Sequence, residues 1–177
     1  MVALDRFVDH VNALGSPHVL ELGTRKWGEA STHHQALFPK ARYVMTDFID
    51  GDDVDVVSDV HNLDEFESVT FDAVFSASTF EHIQYPWIAA MTLHRVIKPR
   101  GVLFVQTHQT FPVHGYPSDY TRWTDMGLRS LFEWAGFEVA FADMTEPCVI
   151  QRPDNYPVWD YNAKAFIAVS VFAVKPK

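Results

Sequence analysis

The stretch FDAVFSASTFEHIQYPWIAAMTLHRVIKPRGVLFVQT, residues 71–107, decides the fold. Phe71 to Ala77 is an apolar run of strand length with one carboxylate in it. Pro86 suits the first turn of a helix, where a backbone N–H would have no partner anyway. Ala89, Leu93, Val96 and Ile97 then recur at helical spacing and give that helix a buried stripe. Pro99-Arg100-Gly101 breaks it, and Val102 to Thr107 is a second apolar strand. Two strands that are apolar almost throughout, joined by a helix, describe parallel strands covered on both faces.

The alternation extends in both directions. Upstream, residues 18–22 form a strand stopped by Gly23, residues 42–46 one that stops at Asp47, and Val54 to Val57 one that stops near Asp59. A helix is expected over residues 28–38, closed by Pro39, and one or two helical turns over 63–68. Near the start, Leu4, Phe7, Val8, Val11 and Leu14 mark an amphipathic helix within residues 1–15, ending at Gly15 and packing on the domain. Downstream, residues 108–123 read as a long loop rich in His, Pro and aromatic residues. Thr124 is a candidate N-cap for a helix with Leu128, Leu131, Phe132 and Ala135 on its apolar face, and Gly136 ends it. Val139 to Ala142 is a sixth strand and residues 165–174 a long last one. Between them, residues 144–164, with Pro147, Pro153 and Pro157, read as an irregular excursion. The expected fold is α/β: a Rossmann-like, mostly parallel sheet of about seven strands, helices on both faces, the last strand antiparallel. A single domain spans residues 1–177.

Composition narrows the partners. The chain is 47% apolar and 21% charged, ordinary for a globular protein. Its net charge of −9 exerts no general pull on phosphate backbones, so nucleic acid is not an expected partner. No apolar run approaches the roughly 18 residues of a membrane span, and Asp5, Arg6 and Asp9 interrupt the start where a signal peptide would be apolar. Cys148 is the single cysteine, which excludes an intrachain disulfide and fits a cytoplasmic setting.

In an open parallel sheet a ligand binds beyond the carboxyl ends of the strands, at the switch point. Glu21 and Gly23 follow the first strand, Asp47 the second and Asp59 with His61 the third. Ser76 to His82 follow the fourth and His108 the fifth. Acids at strand ends beside a glycine turn describe a site for an adenosine-containing ligand. Asp47 offers two acceptor oxygens to a ribose; its other reading is a turn cap, which its place at a strand end disfavours. Glu21 lies inside an apolar strand and needs a partner, either a ligand amino group or nearby backbone N–H groups.

Val19-Leu-Glu21-Leu-Gly23, Val44-Met-Thr-Asp47, the run from Phe71 to His82, and Val96 to Val105 together resemble class I S-adenosylmethionine-dependent methyltransferases of the small type-11 kind. Gly115 to Trp123 and the helix after it are also similar to that family. The resemblance implies S-adenosyl-L-methionine as cofactor. It implies that Glu21, Gly23, Thr24 and Arg25 form the turn beneath its methionine part, and that Ser76 and Ala77 line that end through backbone groups. Asp47 would hold the ribose hydroxyls, with Phe48 or Ile49 against the adenine. Asp59 would face the adenine amino group, with Val60 or His61 beside the ring. The family usually has glycine at every second position after the first acid; here Arg25 and Trp27 stand in two of those places and Gly28 falls one residue late. Arg25 or Lys26 therefore either pairs with the cofactor carboxylate or is a solvated loop charge.

Nine histidines raise the question of a metal, but no pair has zinc-ligand spacing with supporting cysteines, so none is expected. His82, His108 and His114, each after a strand on the ligand edge, are candidates for proton chemistry, His108 first among them. Asp119 and Arg122 are spaced to pair and hold their loop. Tyr116, Tyr120 and Trp123 could wall an acceptor pocket or cover the cofactor. The segments 108–123 and 144–164 are candidate acceptor-site or lid loops; for the latter a dimer contact or a mere ornament are the other readings.

The expected function is methyl transfer from S-adenosylmethionine to a small-molecule acceptor. Ser76-Ala-Ser-Thr79 stands where DNA amino-methylating relatives carry Asn-Pro-Pro-Tyr, which disfavours that class. A non-catalytic cofactor-binding or interaction protein is the alternative that the altered glycine turn supports. A nicotinamide-dependent oxidoreductase would want Gly-x-Gly-x-x-Gly, and Arg25 replaces the middle glycine. Acceptor identity and oligomeric state stay open.

Overall fold

A computed structural model describes residues 3–26, 28–29, 33–115, 117–151 and 165–177. Among the described residues three α-helices, α1 (Ala3–Ala13), α2 (Pro86–Val96) and α3 (Asp125–Trp134), flank the strands β1 (His18–Leu22), β2 (Arg42–Asp47), β3 (Val56–Val57), β4 (Phe71–Ala77), β5 (Ile97–His108), β6 (Glu138–Cys148) and β7 (Ala165–Val174). The strands form one sheet in the order β3-β2-β1-β4-β5-β7-β6. β1 pairs in parallel with β2 on one side and β4 on the other, so Leu22 stands beside both Thr46 and Ser76. The chain leaves β1 toward one edge and returns to build the other half from β4. That reversal opens a crevice beyond the carboxyl ends of β1 and β4. β7 runs antiparallel to both β5 and β6, as expected of the last strand.

The pleat sorts the side chains between two cores. Val19, Ala73, Phe75, Val102, Phe104 and Phe172 face α1 with its Ala3, Phe7 and Val11. Phe7 sits at the centre of that face, its ring 5.6–6.0 Å from those of Phe38, Phe75, Phe104 and Phe172. On the other face, Leu20, Leu22, Val74, Leu103 and Val105 pack with Ala89 and Leu93 of α2 and Leu128, Leu131 and Phe132 of α3.

The chain passes from α2 directly into β5 at Ile97, earlier than the expected start at Val102. The pairing then slips: Phe71 stands opposite Ile97, but Ala73 stands opposite Val102. Lys98-Pro-Arg-Gly101 bulges there, Arg100 takes a φ of +66°, and Lys98 Nζ reaches Asp72 Oδ1 at 2.9 Å.

Three expectations are corrected. Between residues 28 and 38 the described residues hold only a 3-10 turn, Gln35–Leu37, not a long helix; Trp27 and residues 30–32 lie outside the described residues. The backbone N–H of His34 is spent on Glu21 instead of a helical carbonyl. Residues 63–68 form no helix: Leu63 takes a φ of +45°, Phe66 N–H closes a single turn on the Leu63 carbonyl at 3.0 Å, and the Arg95 guanidinium donates to the carbonyls of Asn62, Leu63 and Phe66. β6 runs on to Cys148, so the start of the expected excursion is an edge strand along β7, a position that tolerates Pro147. Pro153, Pro157 and the rest of 152–164 lie outside the described residues. Among the described residues no helix is long and apolar enough to cross a membrane.

Candidate active site

The first turn of the site is built by backbone. Gly23 N–H and Thr24 N–H both donate to the Thr46 carbonyl, at 2.8 and 3.1 Å, folding the end of β1 over β2. Gly23 takes a φ of +74°, and a methyl group there would lie 2.2 Å from Thr79 Oγ1. Only glycine lets Thr79 approach so closely. Thr24 is buried and its hydroxyl donates to the Asp53 carbonyl at 2.6 Å.

Asp47 ends β2 with its carboxylate held by two N–H groups, Ile49 at 3.0 Å and Arg25 at 3.3 Å. A carboxylate has about four lone-pair sites, so acceptor capacity remains for a ligand. Asp59 accepts from both the backbone N–H and the Nδ1 of His61, at 2.9 and 2.6 Å. Gly23, Asp47, Phe48, Asp59, Val60 and His61 line one cavity of about 220 Å³. Six of the expected cofactor residues are thus brought together. Its remaining wall comes from Leu22, Thr46, Ser58, His82, Ile83, Gln84, Pro117, Ser118 and Tyr120.

Other expected residues stand elsewhere. The carboxylate of the buried Glu21 is taken by His34 N–H at 2.9 Å, His34 Nδ1 at 2.7 Å and the Tyr43 hydroxyl at 2.7 Å. Burial and the facing Glu21 charge push the Tyr43 hydroxyl far above its ordinary pKa, so it stays a donor. Arg25 folds over Gly51, with Nε 2.9 Å from where a Cβ there would lie. Thr24, Ile49, Ser76 and Ala77 are not among the residues that line it; Ser76 Oγ is buried with no hydrogen-bond partner among the described residues.

The three candidate histidines do converge. Glu81, fully buried in the turn after β4, holds His108 Nε2 at 3.1 Å, His82 Nε2 at 3.7 Å and His114 Nε2 at 4.0 Å around its Oε1. Its Oε2 accepts from the Thr107 hydroxyl at 2.8 Å. Burial raises the Glu81 pKa, but the His108 ring and the Thr107 hydroxyl outweigh it and hold the group below the ordinary carboxylate range. Its backbone carbonyl accepts from the N–H groups of Tyr120 and Thr121, which ties the loop 108–123 to the turn. Asp119 and Arg122 form a two-pronged ion pair in that loop. Arg122 thereby holds the Asp119 carboxyl far below its ordinary pKa. Tyr116 lies outside the described residues. His108 stacks on Phe111, centroids 4.2 Å apart, and lines a second cavity of about 250 Å³ with Ser78, Gln106 and Glu146.

Glu81, a lone carboxylate between Phe80 and His82, is the buried polar centre of this cluster and was not among the expected site residues. Ile83, Gln84, Pro117 and Ser118 carry no chemical signature of their own.

Residues 28–105 match the family model of a methyltransferase domain. The fold is that of class I S-adenosylmethionine-dependent methyltransferases. A chain from the complex of the Haloferax volcanii Trm112 methyltransferase activator matches with a TM-score of 0.68 at 21% identity, covering 99% of this chain and 89% of that one. A SAM-dependent methyltransferase from Archaeoglobus fulgidus matches with a TM-score of 0.66 at 15% identity, covering 97% and 91%. The 1,6-didemethyltoxoflavin-N1-methyltransferase of Burkholderia thailandensis, solved with its substrate and S-adenosylhomocysteine, matches with a TM-score of 0.63 at 16% identity, covering 99% and 79%. No curated protein matches the chain by sequence.

Proposed function

We propose that this chain transfers a methyl group from S-adenosylmethionine to a small-molecule acceptor. The observation that carries the reading is Asp47 at the carboxyl end of β2, facing the same cavity as the side-chain-free turn at Gly23. The residues present fit the cofactor: Gly23 keeps the cavity open at the switch point, Asp47 has acceptor capacity for two ribose hydroxyls, and Phe48, Val60 and His61 offer flat or apolar walls to an adenine. Asp59 suits its amino group. When bound, S-adenosylmethionine supplies an electrophilic methyl group.

The chain's own part is alignment and proton handling. The second cavity, at the ends of β4 and β5, is of a size for a small acceptor, in keeping with the small-molecule substrate of the Burkholderia relative. Orienting that acceptor in a dry space supplies much of the rate. His108 lines this cavity and accepts the proton of an acceptor hydroxyl, with Glu81 beside it to stabilise the imidazolium. His82 lines the first cavity, and His114 packs against both the other rings, with centroids 4.9 and 5.6 Å away. The single cysteine is in keeping with a cytoplasmic setting.

The test is calorimetry with S-adenosylhomocysteine on the wild type and on Asp47→Ala. The expected result is saturable binding by the wild type, weakened at least about tenfold in the variant, the cost of one or two charged hydrogen bonds. A wild type that binds no S-adenosylhomocysteine overturns the reading.

A further inference from the structure

We propose that Glu81, His82 and His114 form a binding site for one divalent transition-metal ion of the zinc type. One carboxylate oxygen and two imidazole nitrogens of these residues all lie within 4.8 Å of one another. The ligand atoms of a tetrahedral zinc, with bonds of about 2.0–2.1 Å, lie roughly 3.3 Å apart. The separations from Glu81 Oε1, 3.7 Å to His82 Nε2 and 4.0 Å to His114 Nε2, close to that value with small side-chain movements.

Three further observations point to a cation. Glu81 is fully buried, and its Oε1 faces three imidazoles, with His108 Nε2 the nearest at 3.1 Å, while Oε2 accepts from Thr107. A buried carboxylate needs positive partners, and a metal ion would supply charge that a single imidazole does not. Next, the far nitrogen of each ring faces an acceptor: His82 Nδ1 meets the Ser118 carbonyl, and His114 Nδ1 lies 3.1 Å from the Pro112 carbonyl and 3.4 Å from Asp119 Oδ2. A neutral imidazole that donates from Nδ1 presents a lone pair at Nε2, the tautomer of a metal-bound histidine with its supporting hydrogen bond. Two such rings facing one carboxylate oxygen need a cation between them, either a proton on each ring or one shared metal ion. Finally, the loop that brings His114 is already fixed, by Tyr120 and Thr121 on the Glu81 carbonyl and by the Asp119–Arg122 pair, so little ordering remains when the ion binds.

An ion pair between Glu81 and His108 would satisfy the charge, but it needs one imidazole, and the fold supplies three. Two imidazoles and one carboxylate, with no thiolate, suit zinc or its neighbours in the first transition row better than magnesium or calcium. Three protein ligands leave a position open. On the methyl-transfer reading that position lies next to the cofactor cavity that His82 lines.

The test strips the full-length chain with a chelator and titrates it with Co²⁺ as a visible probe, with Zn²⁺ as competitor. The expected result is one Co²⁺ per chain with a visible absorption band, displaced by Zn²⁺. Glu81→Gln and His114→Ala should each weaken binding at least about tenfold. His114 is partly exposed, and its variant should keep the wild-type circular dichroism, which separates a lost ligand from a lost fold. Absence of stoichiometric Co²⁺ binding, or a band and affinity unchanged in His114→Ala, overturns the site and leaves a Glu81–His108 ion pair. S-adenosylhomocysteine binding measured on the same stripped protein distinguishes the two readings: it can persist while the metal site fails, and the reverse.

Discussion

At Gly23 the backbone leaves β1 with a φ of +74°, and Thr79 occupies the space that a side chain would need. Both constraints act on one residue. Gly23→Ala should cost roughly 1–3 kcal/mol from backbone strain alone, and more from the contact with Thr79. Adding Thr79→Ala should recover the steric part and not the strain. Urea unfolding of the two variants checks this; a double variant no more stable than Gly23→Ala would place the whole cost in the backbone. Glu21 shows what one residue can and cannot say in advance. Its charge inside an apolar strand already demanded a partner. That the partners are His34 and Tyr43 depends on two other segments that meet it in space. The same holds for Glu81, whose importance rests on rings that arrive from the loop after β5.

Among the elements, α3 was the most legible. Its apolar stripe, its cap and its closing glycine are written within a dozen or so residues. Thr124 Oγ1 accepts from Gly127 N–H at 3.0 Å, and Gly136 takes a φ of +98° as the helix ends. Thr124→Ala should cost about 1 kcal/mol and Thr124→Ser close to nothing. Thermal unfolding of both decides, and equal losses would show that the hydroxyl is not the cap. The helices expected over 28–38 and 63–68 are absent among the described residues, where side chains from other segments engage the backbone and Leu63 turns left-handed. Arg95 takes three carbonyls between Asn62 and Phe66, and Glu21 takes the N–H of His34. Neither claim leaves a mark in local periodicity. β6 was read short because its outer half alternates weakly; only the pairing of Cys148 with Ala165 shows how far it runs.

For the whole molecule, several shifted groups act in the same direction with pH. His94 lies against Gly136 and Phe137, and burial, with Lys175 nearby, holds its pKa below the ordinary value. His18 is lowered by burial and by Arg42. Each ring is favoured neutral in the folded state. Their contributions are therefore full above about pH 6.5 and are lost as pH falls through the folded values. Asp72 is also lowered: burial raises it, but the His18 N–H and Lys98 prevail. Its contribution is present above about pH 4 and is lost as pH falls through the folded value. The unfolding midpoint should thus fall from about pH 7.5 to about pH 5.5, and fall less in His94→Gln. An identical fall in wild type and variant would remove His94 from this account.

By itself the sequence determined the alternation of strands and helices, the buried character of β1, β4 and β5, and the polar residues at the strand ends, Gly23 and Asp47 above all. Those features are local: a strand or helix declares itself by the spacing of its own apolar residues, and a parallel sheet then places the strand ends on one edge. Tertiary structure alone decided that Glu21 faces Tyr43 and His34, and that His82, His108 and His114 close around Glu81. The physical reason is that these contacts join segments far apart in the chain. Their geometry is set by loop hydrogen bonds, such as those of Tyr120 and Thr121 to the Glu81 carbonyl, that have no periodic signature.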